Sequence, residues 1–124
     1  MIAIDTSSLI AYLAGEEGSD VESVDEALKL QQASLPPVVL TELLSIPRLE
    51  RSVANLIREI PVLEADPGFW ERAAVTRTKI LSRRLRARLA DTLIAQSCLD
   101  YGVPLITRDS DLRHFATHAG LVLK

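Results

Sequence analysis

The sequence predicts an α/β fold, a mainly parallel β-sheet of four to five strands flanked by helices. Three observations point to it. Short apolar runs such as Met1-Ile2-Ala3-Ile4 and Pro104-Leu105-Ile106-Thr107 have the length and character of strands buried on both faces. Amphipathic, capped stretches separate those runs, which is the alternation a parallel sheet with crossover helices requires. Hydrophobic residues make up 48% of the chain and aromatics only 4%, so aliphatic side chains must fill the core.

Met1–Asp5 reads as a short buried strand. Thr6, Ser7 and Ser8 offer hydroxyl caps to a helix over Leu9–Ala14, which Gly15 stops. Ser19-x-x-Glu22 has capping-box spacing and opens a second helix to about Gln32, with Val21, Val24, Leu28 and Leu30 on or near its inner face. Ser34-Leu35 leaves room for a very short strand. Pro36-Pro37 opens a helix through Leu44, because proline is tolerated in a first turn, and Pro47 ends or kinks it. Leu49–Ile57 is amphipathic, with Leu49, Val53, Leu56 and Ile57 inward. Ile60–Leu63 reads as a strand. Asp66-Pro67 signals a helix that runs to about Leu81. Ser82–Arg88 is an arginine-rich loop or frayed helix end. Ala90–Tyr101 is a helix closed by Gly102, Val103–Thr107 a strand, Ser110–His118 a short helix and Leu121–Leu123 a final strand. No repeat, low-complexity tract or long linker interrupts the order, so residues 1–124 read as one domain.

Composition narrows the function classes. The single cysteine, Cys98, excludes an internal disulfide framework and fits a reducing cytoplasm. Asp5 breaks the N-terminal apolar run and no basic segment precedes it, so no signal peptide is expected. No uncharged apolar stretch approaches the roughly 20 residues needed to span a bilayer. A soluble cytoplasmic protein is expected. The net charge of -3 hides an uneven distribution. Arg72, Arg77, Lys79, Arg83, Arg84, Arg86 and Arg88 share a span without an acid, and Glu16, Glu17, Asp20, Glu22, Asp25 and Glu26 share one without a base. A basic patch binds phosphates even on an acidic protein, although a run of arginines also serves as a solvated face.

Four acids carry the functional signal. Asp5 and Asp109 follow predicted strands, Asp91 opens the stretch Asp91-Thr92-Leu93-Ile94-Ala95-Gln96, and Glu42 sits among apolar neighbours in Val38–Leu44. In an open α/β sheet, functional groups gather beyond the C-terminal ends of the strands. Taken singly, Asp5 and Asp91 have a bland reading as helix caps, Asp109 and Asp111 as turn residues, and Glu42 as a solvent-facing side chain. Taken together they form a set of converging carboxylates, and a hard divalent cation is the simplest group that offsets their repulsion.

Four segments carry a resemblance: Ile4-Asp5-Thr6-Ser7-Ser8-Leu9, Leu40-Thr41-Glu42-Leu43-Leu44, Leu89–Ala95 and Leu105-Ile106-Thr107-Arg108-Asp109-Ser110-Asp111-Leu112. Their ordered set resembles the motifs of the PIN-domain ribonucleases, and within that family the VapC toxins of bacterial toxin–antitoxin pairs. The resemblance implies a PIN-like nuclease domain over the whole chain. It implies that Asp5, Glu42, Asp91 and Asp109 are the catalytic, metal-binding acids, with Asp111 as auxiliary ligand. Thr6, Ser7 and Thr107 would support a carboxylate or a bound water. Leu112 departs from the aromatic that often follows the last acid, with Phe115 available for that space, and Ser45-Ile46-Pro47 stands where the family often has a glycine. The implied reaction is Mg²⁺-dependent RNA hydrolysis by metal-activated water, with Mn²⁺ as a substitute. Arg83, Arg84, Arg86 and Arg88 would hold the RNA backbone without reading bases. A tRNA or rRNA loop as substrate, a homodimer, and a cognate antitoxin that covers the acidic groove are implied as partners.

Other classes compete with that reading. A PIN nuclease of RNA processing would share the same acids. A non-catalytic RNA- or protein-binding module has no need of clustered carboxylates. An aspartate-based phosphotransferase wants a second aspartate where Ser7 stands and a lysine where Arg108 stands. His114 and His118, spaced i, i+4, lack the further ligands of a metal site. Cys98 reads as a buried structural thiol, and Phe69 and Trp70 as anchors of their helix or of a partner interface.

Overall fold

A computed structural model describes residues 1–124. Its centre is β1 (Ile2–Ile4), buried at all three positions. Burial on both faces requires helices on both faces, which is why the strand has no alternating polar side. The order in the sheet is β2-β1-β3, with β2 at Ala33–Ser34 and β3 at Leu105–Ile106. Both pairings are parallel: Ile2 faces Ala33 and Ala3 faces Ser34 on one side, Ala3 faces Leu105 and Ile4 faces Ile106 on the other.

The sheet has three strands, not the four to five expected. The predicted strands at Ile60–Leu63 and Leu121–Leu123 contribute one parallel bridge each, Leu35 to Val62 and Leu105 to Leu123. Near the first, Pro61 accepts from Leu35 but has no N–H to extend the ladder, so Leu63 alone donates back to Leu35. At the other edge, Leu105 donates to Val122 and Lys124 donates to Leu105.

The helices are α1 (Thr6–Leu13), α2 (Ser19–Lys29), α3 (Pro37–Leu44), α4 (Arg51–Glu59), α5 (Phe69–Leu81), α6 (Leu89–Tyr101) and α7 (Arg113–Ala119), with a 3₁₀ turn at Ser110–Leu112. Several ends differ from the sequence expectation. Asp5 itself caps α1, so the helix begins at Thr6. The capping box at Ser19 does not form, because Gly18 holds the cap position and Ser19 is already helical. That helix stops at Lys29, which leaves Leu30 56% exposed rather than inward. Leu56, expected inside, is 38% exposed while Ile57 takes the buried place. Asp66-Pro67 precedes a turn, and α5 starts only at Phe69 after Gly68. Phe69 is buried and anchors that helix; Trp70 is 67% exposed and meets Phe69 edge-on. Gly102, in the left-handed conformation at φ 64°, closes α6 as expected. No helix is long and apolar enough to cross a membrane.

Two arginines of the basic run belong to the scaffold. Arg72 grips Asp100 of α6 with Nε and Nη2 at 3.1 and 2.6 Å. Arg77 donates to the carbonyl of Ala87 at 2.8 Å and pins the loop between α5 and α6. Cys98 is fully buried, and burial pushes its thiol up to about 12.

Candidate active site

The chain leaves β1 toward β2 on one side, and β3 lies on the other, so the crevice beyond β1 and β3 is a topological switch point. Asp5 stands there. Its N–H donates to Ile106, which fixes it one residue past the strand. Its carboxylate, 4% exposed, receives three donors: the Thr6 N–H on Oδ1 at 2.8 Å, and the hydroxyls of Ser7 and Thr107 on Oδ2 at 2.9 and 2.7 Å. Burial pushes its pKa up, the three hydrogen bonds hold it down, and the charge of Asp109 pushes it up again.

Asp91 lies in the first turn of α6, three residues after the cap at Arg88. It is buried, and its Oδ2 has no hydrogen-bond partner. Its pKa is pushed up to about 6, first by burial and then by the charges of Asp109, Asp5 and Asp111, against the opposing charge of Arg88. Asp109 and Asp111 come from the turn after β3. Asp109 donates its N–H to Thr107 Oγ1 at 3.0 Å and accepts the Asp111 N–H on Oδ1 at 2.9 Å. Asp111 faces Arg86 at 3.6 Å. Glu42, on the exposed side of α3, joins through Thr6, whose hydroxyl donates to it at 2.7 Å.

Asp5, Asp91, Asp109 and Asp111 are therefore brought into one electrostatic neighbourhood, with Glu42 one hydrogen bond away. The bland readings hold in part: Asp5 does cap α1, and Asp109 does cap the 3₁₀ turn. They do not account for Asp91, which caps nothing and leaves a buried carboxylate oxygen unpartnered. As a donor set the site is all oxygen, which suits Mg²⁺ or Mn²⁺. No three acidic, histidine or cysteine side chains stand close enough to enclose an ion. Mg²⁺ does not demand such a cage, since it keeps several waters and uses one or two carboxylates. The unpartnered Asp91 oxygen and the mutual repulsion of its neighbours fit a divalent cation here.

The loop with Arg83, Arg84, Arg86 and Arg88 is exposed and ordered by the buried Ala87. Arg86 reaches Asp111, which joins this loop to the acidic crevice. A groove of about 660 Å³ lies away from the acids, between α5 and α7, and is lined by Val75, Thr78, Lys79, Ser82, Arg83 and His118. Leu112 and Phe115 are both fully buried in the core.

Sequence reasoning missed one constellation beside the site. Asp20, noted only as one of the acids between Glu16 and Glu26, accepts from Arg108 Nε on Oδ2 at 2.8 Å, and Arg108 keeps its carboxyl down at about 2. No local pattern pairs residues so far apart in the chain.

The family model described as PIN domain matches residues 2–117. No curated protein matches the chain. Among solved structures, the chain is similar to one described as VapBC2 from Rickettsia felis bound to a DNA fragment from their promoter, at 19% identity and a TM-score of 0.73, covering 100% of this chain and 98% of the other. It is also similar to one described as FitAcB from Neisseria gonorrhoeae, at 19% identity and a TM-score of 0.71, covering 99% and 96%.

Proposed function

The chain belongs to the PIN domain family, and from that premise we propose that it is a Mg²⁺-dependent endoribonuclease, the toxin of a VapBC-like toxin–antitoxin pair. The observation that carries the reading is Asp91: a buried, partnerless carboxylate oxygen among Asp5, Asp109 and Asp111. Asp5, Glu42, Asp91, Asp109 and Asp111 would hold Mg²⁺, with Mn²⁺ as a substitute. When bound, the ion supplies Lewis acidity at a phosphodiester and activates water toward it.

The remaining roles belong to the chain's own groups. Thr6, Ser7 and Thr107 fix the carboxylates of Glu42 and Asp5 by the bonds given above. Without a metal, Asp91 holds a proton below about pH 6, and the ionised form would be the one to hold a divalent cation. Arg83, Arg84, Arg86 and Arg88 position the RNA backbone, leaving sequence to the shape of the target. A tRNA or rRNA loop as substrate, a homodimer, a cytoplasmic location and an antitoxin that covers the crevice complete the proposal. The fold shared with the VapBC2 and FitAcB structures supports the antitoxin part.

Purified protein should cleave RNA with Mg²⁺ and not with EDTA, and Asp91→Asn should not cleave. Expressed alone in a bacterium the wild type should arrest growth, and a small protein encoded directly upstream should relieve the arrest. Cleavage without arrest would favour an RNA-processing nuclease. Neither cleavage nor arrest from soluble protein would leave a binding module.

A further inference from the structure

Arg108 is flanked in sequence by two site residues, Thr107 and Asp109, yet its guanidinium is gripped elsewhere. Asp20 of α2 takes it bidentately, Nε to Oδ2 at 2.8 Å and Nη2 to Oδ1 at 3.0 Å. Nη2 also donates to the Glu17 carbonyl at 3.1 Å, and Nη1 to Glu16 Oε1 at 3.5 Å. Asp20 is itself fixed, because Oδ2 accepts the hydroxyl of the fully buried Ser8 at 2.8 Å. Gly18, at φ 148°, makes the approach possible: a Cβ there would lie 2.6 Å from Asp20 Oδ1 and 3.0 Å from Arg108 Nη2. A fork held on both oxygens, with its acceptor anchored in the core, is a far more defined contact than an ordinary surface ion pair.

The grip matters because of where the arginine is rooted. Its N–H lies 3.4 Å from Ser7 Oγ, the hydroxyl that bonds Asp5. The side chain is therefore rooted at the rim of the acid cluster. A guanidinium released there would be drawn to carboxylates that repel one another, one of them with an unclaimed oxygen, and planar bidentate pairing with carboxylate is what that group does best. It would take up the oxygens a divalent cation needs.

We propose that Asp20 is a positioning residue that holds Arg108 out of the acid cluster, so that the carboxylates stay open to a divalent cation. The inference rests on the cation reading given above. It separates two variants that break the same ion pair. Loss of Asp20 leaves an inhibitory cation with only the Glu17 carbonyl and Glu16 to hold it; loss of Arg108 removes that cation.

Mn²⁺ titration of the metal-free full chain tests this, in about 0.3 M salt so that fields beyond about 6 Å are screened. Asp20→Ala should weaken Mn²⁺ binding by about tenfold, the worth of one charge-assisted contact. Arg108→Ala should stay within about twofold of wild type, and the double variant should recover to the same range, since neither retains the competing guanidinium. Equal losses in the two single variants would show a merely structural tie and overturn the proposal. An unchanged Asp20→Ala beside a wild type that binds would overturn it alone, whereas a wild type that binds no Mn²⁺ would overturn the cation reading as well. Thermal melts report folding of each variant. If Asp20→Ala does not fold, Asp20→Asn keeps the shape and should show a smaller loss in the same direction; no loss overturns the proposal.

Discussion

Asp91→Asn should make the metal-free protein more stable, and only above a definite pH. In the folded chain the carboxyl ionises near 6 rather than 3.8. A raised carboxyl pKa contributes stability that is fully present below the unfolded value and is lost as pH rises through the folded one. A displacement of this size corresponds to about 3 kcal/mol at neutral pH, at about 1.4 kcal/mol per unit. Water in the open crevice screens part of it, and an amide NH₂ at the unpartnered position carries its own cost, so a net gain of about 1–2 kcal/mol is expected. For a chain of this length that is a rise in Tm of about 3–10 °C. Melts in EDTA at steps between pH 4 and pH 8 read it directly. The gap between variant and wild type should be near zero at pH 4, open between pH 4 and about 6, and stay constant above that. Added Mn²⁺ should raise the wild-type Tm and leave the variant where it was. A gap that is flat across pH would refute the idea that repulsion and burial at Asp91 set it.

Asp5→Asn should abolish metal-dependent cleavage with a smaller gain in Tm than Asp91→Asn, because its carboxylate already has three donors that an amide cannot all match; an equal gain in side-by-side melts would contradict that. Replacing Arg83, Arg84, Arg86 and Arg88 with Gln should weaken binding of a non-cleaved RNA across sequences and lower the salt slope by about one for each phosphate no longer neutralised. An unchanged slope would make the loop a solvated face. Asp20→Asn should cost about 1 kcal/mol at pH 7, discounted for the solvent that reaches Arg108. Because the folded Asp20 carboxyl ionises at about 2, that contribution is present above the unfolded value and fades as pH falls toward 2. Denaturant melts at pH 7 and pH 2.5 should therefore show the variant and wild type converging in acid.

What could be read from the sequence was local. Asp5 and Thr107–Asp109 follow apolar runs, so their place at the sheet's C-terminal edge came from strand polarity alone. Asp91 was legible as an acid opening a helix, but its unpartnered oxygen was not, since burial of one carboxylate atom depends on how α6 packs against the elements around it. Strand number failed because Ile60–Leu63 has strand composition while Pro61 removes a donor, and only pairing reveals how little ladder is left. Leu30 and Leu56 have the right period for a core and lie outside it because α2 ends early and α4 presents Ile57 instead. The Asp20–Arg108 grip joins residues with no common periodicity, and Gly18 gains its meaning only from the two side chains it admits.

The short sheet also limits how another chain can attach. Each outer strand is covered by a single bridge, one beside Pro61 and the other beside Lys124. Little unpaired ladder remains for a visiting strand to extend, and edges blunted in this way resist edge-to-edge self-association. Partners that recognise proteins by adding a strand find little purchase here. Helix faces and the crevice, by contrast, offer a visitor side chains rather than backbone amides. Specificity for a partner can then drift one surface residue at a time while the sheet beneath stays fixed.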